Sequence, residues 1–203
     1  MNTELPKLEA VTKTGDEYFH ADGENLPLTL LDYWRWSGSD LLSNRQRGIL
    51  AEYLVGSALQ MTDSVRLEWD AYDVRTPSDL KVEVKNSAYI QSWAQTAYSA
   101  IKFDIAPKTS WDAKENTFDT VSRRSADVYV FCVLAHKDQN SIDPLNVSQW
   151  KFYVLATRVL DKYCKEQKSI TLTPLKALKP EEPSYAALPE TVERIGRSQK
   201  AQY

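Results

Sequence analysis

The stretch LKVEVKNS, residues 80–87, decides how this chain is read. Leu80, Val82 and Val84 alternate with Lys81, Glu83 and Lys85, which is the period-two pattern of a strand with one apolar and one charged face. Strands with lysine and glutamate turned outward are ordinary. The surrounding sequence must therefore decide whether the charged face is merely solvated or forms the floor of a site.

On the N-terminal side, RLEWDAYDV (66–74) reads as a strand and TPSD (76–79) as a turn, so LKVEVKNS becomes the second arm of a hairpin. Before them, SNRQRGILAEYLVGSALQM (43–61) opens with Ser43 and Gln46 in capping-box spacing and continues with good helix formers. Wound at 100° per residue, its apolar side chains fall almost all the way round, the mark of a buried helix. Glu52 is the one acid that interrupts it. On the C-terminal side, AYIQSWAQTAYSAIKF (88–103) is expected as a helix followed by a strand, and 106–125 as a long polar loop. DVYVFCVLAH (127–136) is a continuous apolar run, expected to be a central strand covered on both faces. WKFYVLA (150–156) follows as a strand and TRVLDKYCKEQ (157–167) as a helix, with a short strand or arm after it.

These elements predict a single-domain α/β protein, a mixed β-sheet flanked by helices. Residues 1–42 are expected as a lead-in containing a short helix near 28–36, 43–175 as the core, and 176–203 as a Pro-rich link into a last helix. With 203 residues the chain is long enough to bury a core, and six Trp and eleven Tyr argue against disorder. Cys132 and Cys164 lie far apart and suit reduced thiols in a cytoplasmic protein. With only His20 and His136 beside them, they offer no zinc spacing. No apolar run reaches the roughly 20 residues that span a bilayer, and the start lacks the pattern of a signal peptide. The net charge of -3 is not that of a tight, sequence-independent nucleic-acid binder, although gathered carboxylates can mask a local basic groove.

Within this frame a set of charged residues lines up. Glu83 and Lys85 share one face of their strand, about 7 Å apart along the backbone. Asp73, at the end of the preceding strand, can reach that pair across the hairpin, and Glu52 sits on the helix before it. Mg²⁺ takes oxygen ligands, typically one or two carboxylates completed by water and phosphate oxygens. A neighbouring lysine can orient or deprotonate the attacking water, or offset charge developing on phosphorus. Metal-assisted phosphodiester hydrolysis is the chemistry this set suits.

In these residues, Asp73 and Glu83-Val84-Lys85 after the helix GILAEYLVG, the chain resembles the PD-(D/E)xK nucleases, the restriction-endonuclease-like superfamily. That resemblance covers roughly residues 43–165 and implies an α-β-β-β-α-β core. It implies Asp73 and Glu83 as ligands of Mg²⁺ or Mn²⁺, Glu52 as a supporting acid acting directly or through water, and Lys85 as the catalytic lysine. Gln91 or Gln95 would match the glutamine that some subfamilies place near the site. The proline of the motif is missing, because Tyr72 precedes Asp73, and Asp70 therefore stands as a rival ligand. Asp73 is preferred because Val65, Leu67, Trp69 and Ala71 share its parity.

The function implied is a metal-dependent nuclease acting on DNA, in a restriction or phage-defence setting, with specificity supplied by loops, a homodimer or a partner protein. The alternative is a catalytically idle nuclease fold that binds nucleic acid or a protein partner. Each residue also has a plainer role: a turn cap for Asp73, a buried salt bridge to Arg45 or Arg124 for Glu52. Arg123 and Arg124 can touch phosphate. Trp93 and Trp111 read as core or rim aromatics before base-stacking platforms.

Overall fold

A computed structural model describes residues 8–66, 71–109, 111–112 and 117–201. Its elements are β1 (Tyr18–Ala21), β2 (Glu24–Thr29), α1 (Leu30–Gly38), α2 (Asn44–Ala58), β3 (Val74–Arg75), β4 (Lys81–Ala88), β5 (Lys102–Asp104), β6 (Trp111–Asp112) and β7 (Thr117–Phe118). Then come β8 (Val128–Leu134), β9 (Trp150–Ala156), α3 (Thr157–Cys164), β10 (Ser169–Thr171), α4 (Leu172–Ala177) and α5 (Leu188–Lys200). The main sheet runs β3-β4-β8-β9, with β4 and β8 parallel and both other pairings antiparallel. The mixed sheet with helices around it is the architecture the sequence predicts.

The alternation of side chains divides the interior into two cores. Val82 and Val84 of β4 join Val128, Val130 and Cys132 of β8 and Phe152 and Val154 of β9 beneath Ala51, Leu54 and Val55 of α2 and Leu188 and Val192 of α5. On the opposite face, Tyr129, Phe131 and Val133 of β8 and Tyr153 and Leu155 of β9 pack with Phe103, Ile105, Leu160, Ile170 and Leu175. Strand β8 is buried at every position because its apolar run serves both cores. Glu83 and Lys85 point to the second face, where β4 contributes charge instead of apolar side chains to the layer of Tyr129 and Phe131.

Several expectations change. Helix α2 buries one stripe (Arg47, Ala51, Leu54, Val55 and Gly56) and leaves Tyr53 58% exposed, so it is not covered all round. Ser43 caps it by accepting the Gln46 N–H, but the Gln46 side chain donates to the Ser37 carbonyl instead of completing a box. Of the strand expected over 66–74, pairing among the described residues begins at Asp73, whose N–H donates to the Val82 carbonyl. Leu67, Trp69 and Asp70 lie outside the described residues, so the parity argument and the rival ligand cannot be placed.

The helix expected at the start of 88–103 is absent. Gln95 accepts the Gln91 N–H at 2.7 Å and donates to the Tyr89 carbonyl and to Ser99 Oγ, and the Ser99 N–H also bonds the Tyr89 carbonyl. Side-chain bonds of this kind take over main-chain groups that a helix would use. The crossover from β4 to its parallel neighbour β8 therefore carries no helix among the described residues. It passes instead through β5, which pairs with β10, and the small β6–β7 ribbon.

The lead-in holds a hairpin, β1–β2, that was not expected. Asp22 and Gly23 turn it with φ of 52° and 87°, the left-handed geometry that an Asp-Gly pair accepts. Helix α1 follows with a Thr29–Asp32 capping box. Neither core includes a residue before Leu42, and Trp36 is 84% exposed.

Candidate active site

Asp73 is where the site begins. Extending the β3–β4 register by one residue sets it opposite Glu83. Its carboxylate turns back to accept the Val84 N–H at 2.6 Å. Burial and the charges of Glu83 and Glu52 push its carboxyl up to about 7, against the opposing pull of the Val84 bond and Lys85. Three acids thus come from three elements, α2, the turn into β3, and β4, and the charges of Glu83 and Glu52 both act on Asp73. Strand pairing positions Asp73 and Glu83, and α2, whose stripe packs Ala51 and Val55 into the sheet, brings the third, Glu52, to the cleft that Asp73 lines.

Two of the acids are held by cations. Lys85 contacts the Glu83 carboxylate, with both side chains more than four-fifths buried. Burial disfavours the Lys85 ammonium, but Glu83, Asp73 and Asp104 outweigh that cost and hold its pKa above the ordinary lysine value. Glu52 is gripped by Arg66, whose second donor lies at 3.1 Å. The sequence suggested Arg45 or Arg124 as its partner. Arg124 instead pairs with Asp161 at 2.8 Å and donates to the carbonyls of Ile105 and Lys165. Arg123 pairs with Asp119 at 2.6 Å.

Gln91 is buried, accepts from Arg47 Nη1 at 3.0 Å and donates to the Ala88 carbonyl at 2.9 Å. Arg47 is 3% exposed and also donates to Asn86 Oδ1, Asn44 Oδ1 and the Leu42 carbonyl. This guanidinium ties the start of α2 to the end of β4, a role that nothing in the local pattern of an apolar helix announces. Gln95 bonds the loop main chain as described above.

Beside Glu52 and Asp73 opens a cleft of about 610 Å³, lined further by Tyr53, Tyr72, Arg66 and Arg75. Its lining carries three carboxylates, Glu52, Asp63 and Asp73, and two guanidiniums, Arg66 paired with Glu52 and Arg75 paired with Asp79, groups that suit an anionic ester bridged to a cation. Arg66 was not singled out by sequence reasoning, and its reach to an acid 14 positions earlier is visible only in the fold. Among the described residues, no group of three or more His, Cys, Asp or Glu side chains is placed to hold a metal ion. Lys85 and Arg66 draw Glu83 and Glu52 into ion pairs.

A family model described as bacteriophage T4 endonuclease IV matches residues 32–173. The chain belongs to this family. The match runs from α1 through β10 and takes in Glu52, Asp73, Glu83 and Lys85. Membership makes the protein a nuclease, a hydrolase of phosphodiester bonds in nucleic acid. No curated protein matches the chain. Among the described residues, no helix is long and apolar enough to cross a membrane.

Proposed function

We propose that this member of the endonuclease IV family is a metal-dependent DNA endonuclease of the PD-(D/E)xK type, with its site at Asp73, Glu83, Lys85 and Glu52. The observation that carries the reading is the placing of Asp73 opposite Glu83 across the β3–β4 pairing, with Lys85 on the Glu83 carboxylate and the charges of Glu83 and Glu52 pushing the Asp73 carboxyl up. Like charges so placed favour a shared proton or a cation. That donor set fits Mg²⁺ or Mn²⁺: Asp73 and Glu83 would hold the ion, with Glu52 supporting it directly or through water. Once bound, the ion supplies Lewis acidity and a more acidic water.

The remaining work belongs to the chain's own residues. Lys85, held in its charged form by its acidic neighbours, is suited to orienting the water and offsetting charge developing on phosphorus rather than taking a proton. Arg66 and Arg75 line the approach to the acids, where a phosphate can be gripped by guanidinium. Gln91 contributes by fixing the chain at the end of β4 through Arg47 and Ala88. A restriction or phage-defence role and a dimeric or partnered state are extensions by analogy with the fold.

The test is incubation of the purified protein with plasmid and oligonucleotide DNA in Mg²⁺, Mn²⁺ or EDTA, beside Glu83→Gln and Lys85→Met. Cleavage that needs the ion and is lost in both variants supports the reading. Cleavage in EDTA, or cleavage that survives both substitutions, overturns it. Binding without cleavage in any metal favours an idle nuclease fold.

A further inference from the structure

We infer that the loop after β4 carries an aromatic and cationic surface that grips the nucleic-acid strand running on from the active site, an inference that rests on the nuclease reading above. The surface consists of a cluster of Tyr89, Tyr98 and Lys137, with Trp93 exposed on the same loop as the two tyrosines. Tyr89 and Tyr98 meet edge to face with centroids 6.3 Å apart. The Lys137 ammonium stands 4.4 Å from the Tyr89 centroid and 5.4 Å from that of Tyr98, and the Tyr98 hydroxyl donates to the Lys137 carbonyl at 2.8 Å. Lys137 is exposed, Tyr98 is 57% exposed and Trp93 53% exposed.

Position makes the cluster relevant. Tyr89 has the parity of Glu83 and Lys85 and packs against the same core, so it continues their face of the sheet. Four residues of extended chain place it roughly 13 Å beyond Lys85, about four nucleotides at the rise of roughly 3.4 Å per nucleotide. Rigidity makes it useful. The Gln91–Gln95 bonds and the Arg47 contact hold the loop in one shape, so little ordering is required when a ligand arrives.

Chemistry selects the occupant. Ring faces bearing a neighbouring ammonium suit nucleobases flanked by phosphates, because every base has a π-face and every linkage a negative charge. A purely structural reading would make the cluster a staple between two loops. That reading accounts for Tyr89, Tyr98 and Lys137, but not for the exposure of Trp93 on the same loop.

The test measures binding of a fluorescein-labelled oligodeoxynucleotide in EDTA by anisotropy, for the wild type, Trp93→Ala, Trp93→Phe and Lys137→Gln, with melting temperatures in parallel. Trp93→Ala should bind about 5- to 100-fold more weakly at unchanged melting temperature, and Trp93→Phe should recover most of the loss. Lys137→Gln should lower the slope of log affinity against log salt by about 0.7 to 0.9, the signature of one lost phosphate contact. Wild-type affinity and slope in both Trp93→Ala and Lys137→Gln, or no binding by the wild type, would overturn the surface. If these shifts appear but no DNA is cut in any metal, the surface stands and the nuclease chemistry proposed above falls.

Discussion

The carboxylate of Asp73 accepts the main-chain N–H of Val84 at 2.6 Å, which locks the acid before β3 into the strand that carries Glu83 and Lys85. The bond explains how a short, two-residue strand can present an acid with precision: the side chain is fixed by the partner strand rather than by its own. The charges of Glu83 and Glu52, which outweigh that bond, set the sign of a pH effect.

Asp73 titrates near 7 in the folded protein, well above the value of about 3.9 expected when unfolded. Between those values the folded state holds a proton that the unfolded state releases. The stability this contributes is therefore complete below about pH 4 and is lost as pH rises through 7. In EDTA, urea unfolding of the wild type should show stability falling from pH 5 to pH 8 relative to Asp73→Asn. A difference that is flat or rises with pH would contradict the pressure of Glu83 and Glu52 on this group.

Lys85 is a second lever. If its ammonium stabilises charge in the transition state, Lys85→Met should lower kcat by about a hundredfold or more, with a smaller change in KM. Lys85→Arg should retain more activity than Lys85→Met, since it keeps the charge that matters for an orienting role. Equal loss in both would instead point to a proton-transfer role that arginine cannot fill. Single-turnover cleavage rates decide between them.

Arg47 is buried with only neutral acceptors around it. Replacing it by Met leaves Asn86 Oδ1 and Gln91 Oε1 without their donor. The expected cost is about 2–4 kcal/mol of stability by urea denaturation, an effect that a surface arginine such as Arg123 should not reproduce.

The seating of α5 gives a further check. A Cβ at Gly196 would meet Leu80 Cδ2 at 2.8 Å and Cγ at 3.1 Å, and Leu80 is 1% exposed. Overpacking of this kind costs about 1–3 kcal/mol, offset in part by alanine's helix preference of about 1 kcal/mol. Gly196→Ala should therefore lower Tm; an increase would mean that α5 does not lie this close to the sheet.

Much of this was legible in the sequence where one physical signal dominates. The apolar run of β8, the alternation of β4 and the strand at 150–156 follow from burial alone. The hairpin turned by Asp22 and Gly23 was not read, because the polar composition around it outweighed an Asp-Gly pair. The loop over 89–101 was not, because its shape depends on where two glutamine amides find partners. Among the site residues, Glu83 and Lys85 could be paired from strand parity alone. The closeness of Asp73 to Glu52 depends on how α2 crosses the sheet, and the hold of Arg66 on Glu52 links segments 14 residues apart.

The most direct measurement is calorimetric titration of Mn²⁺ into the wild type, Asp73→Asn and Glu83→Gln at pH 6.5, in two buffers of different ionisation enthalpy. Ion binding by the wild type, with release of a proton as Asp73 becomes fully ionised, and loss of at least tenfold in affinity in each variant, is the predicted result. Equal binding by all three proteins, or no binding by a wild type that still cuts DNA, would contradict the convergence of these carboxylates on one cation.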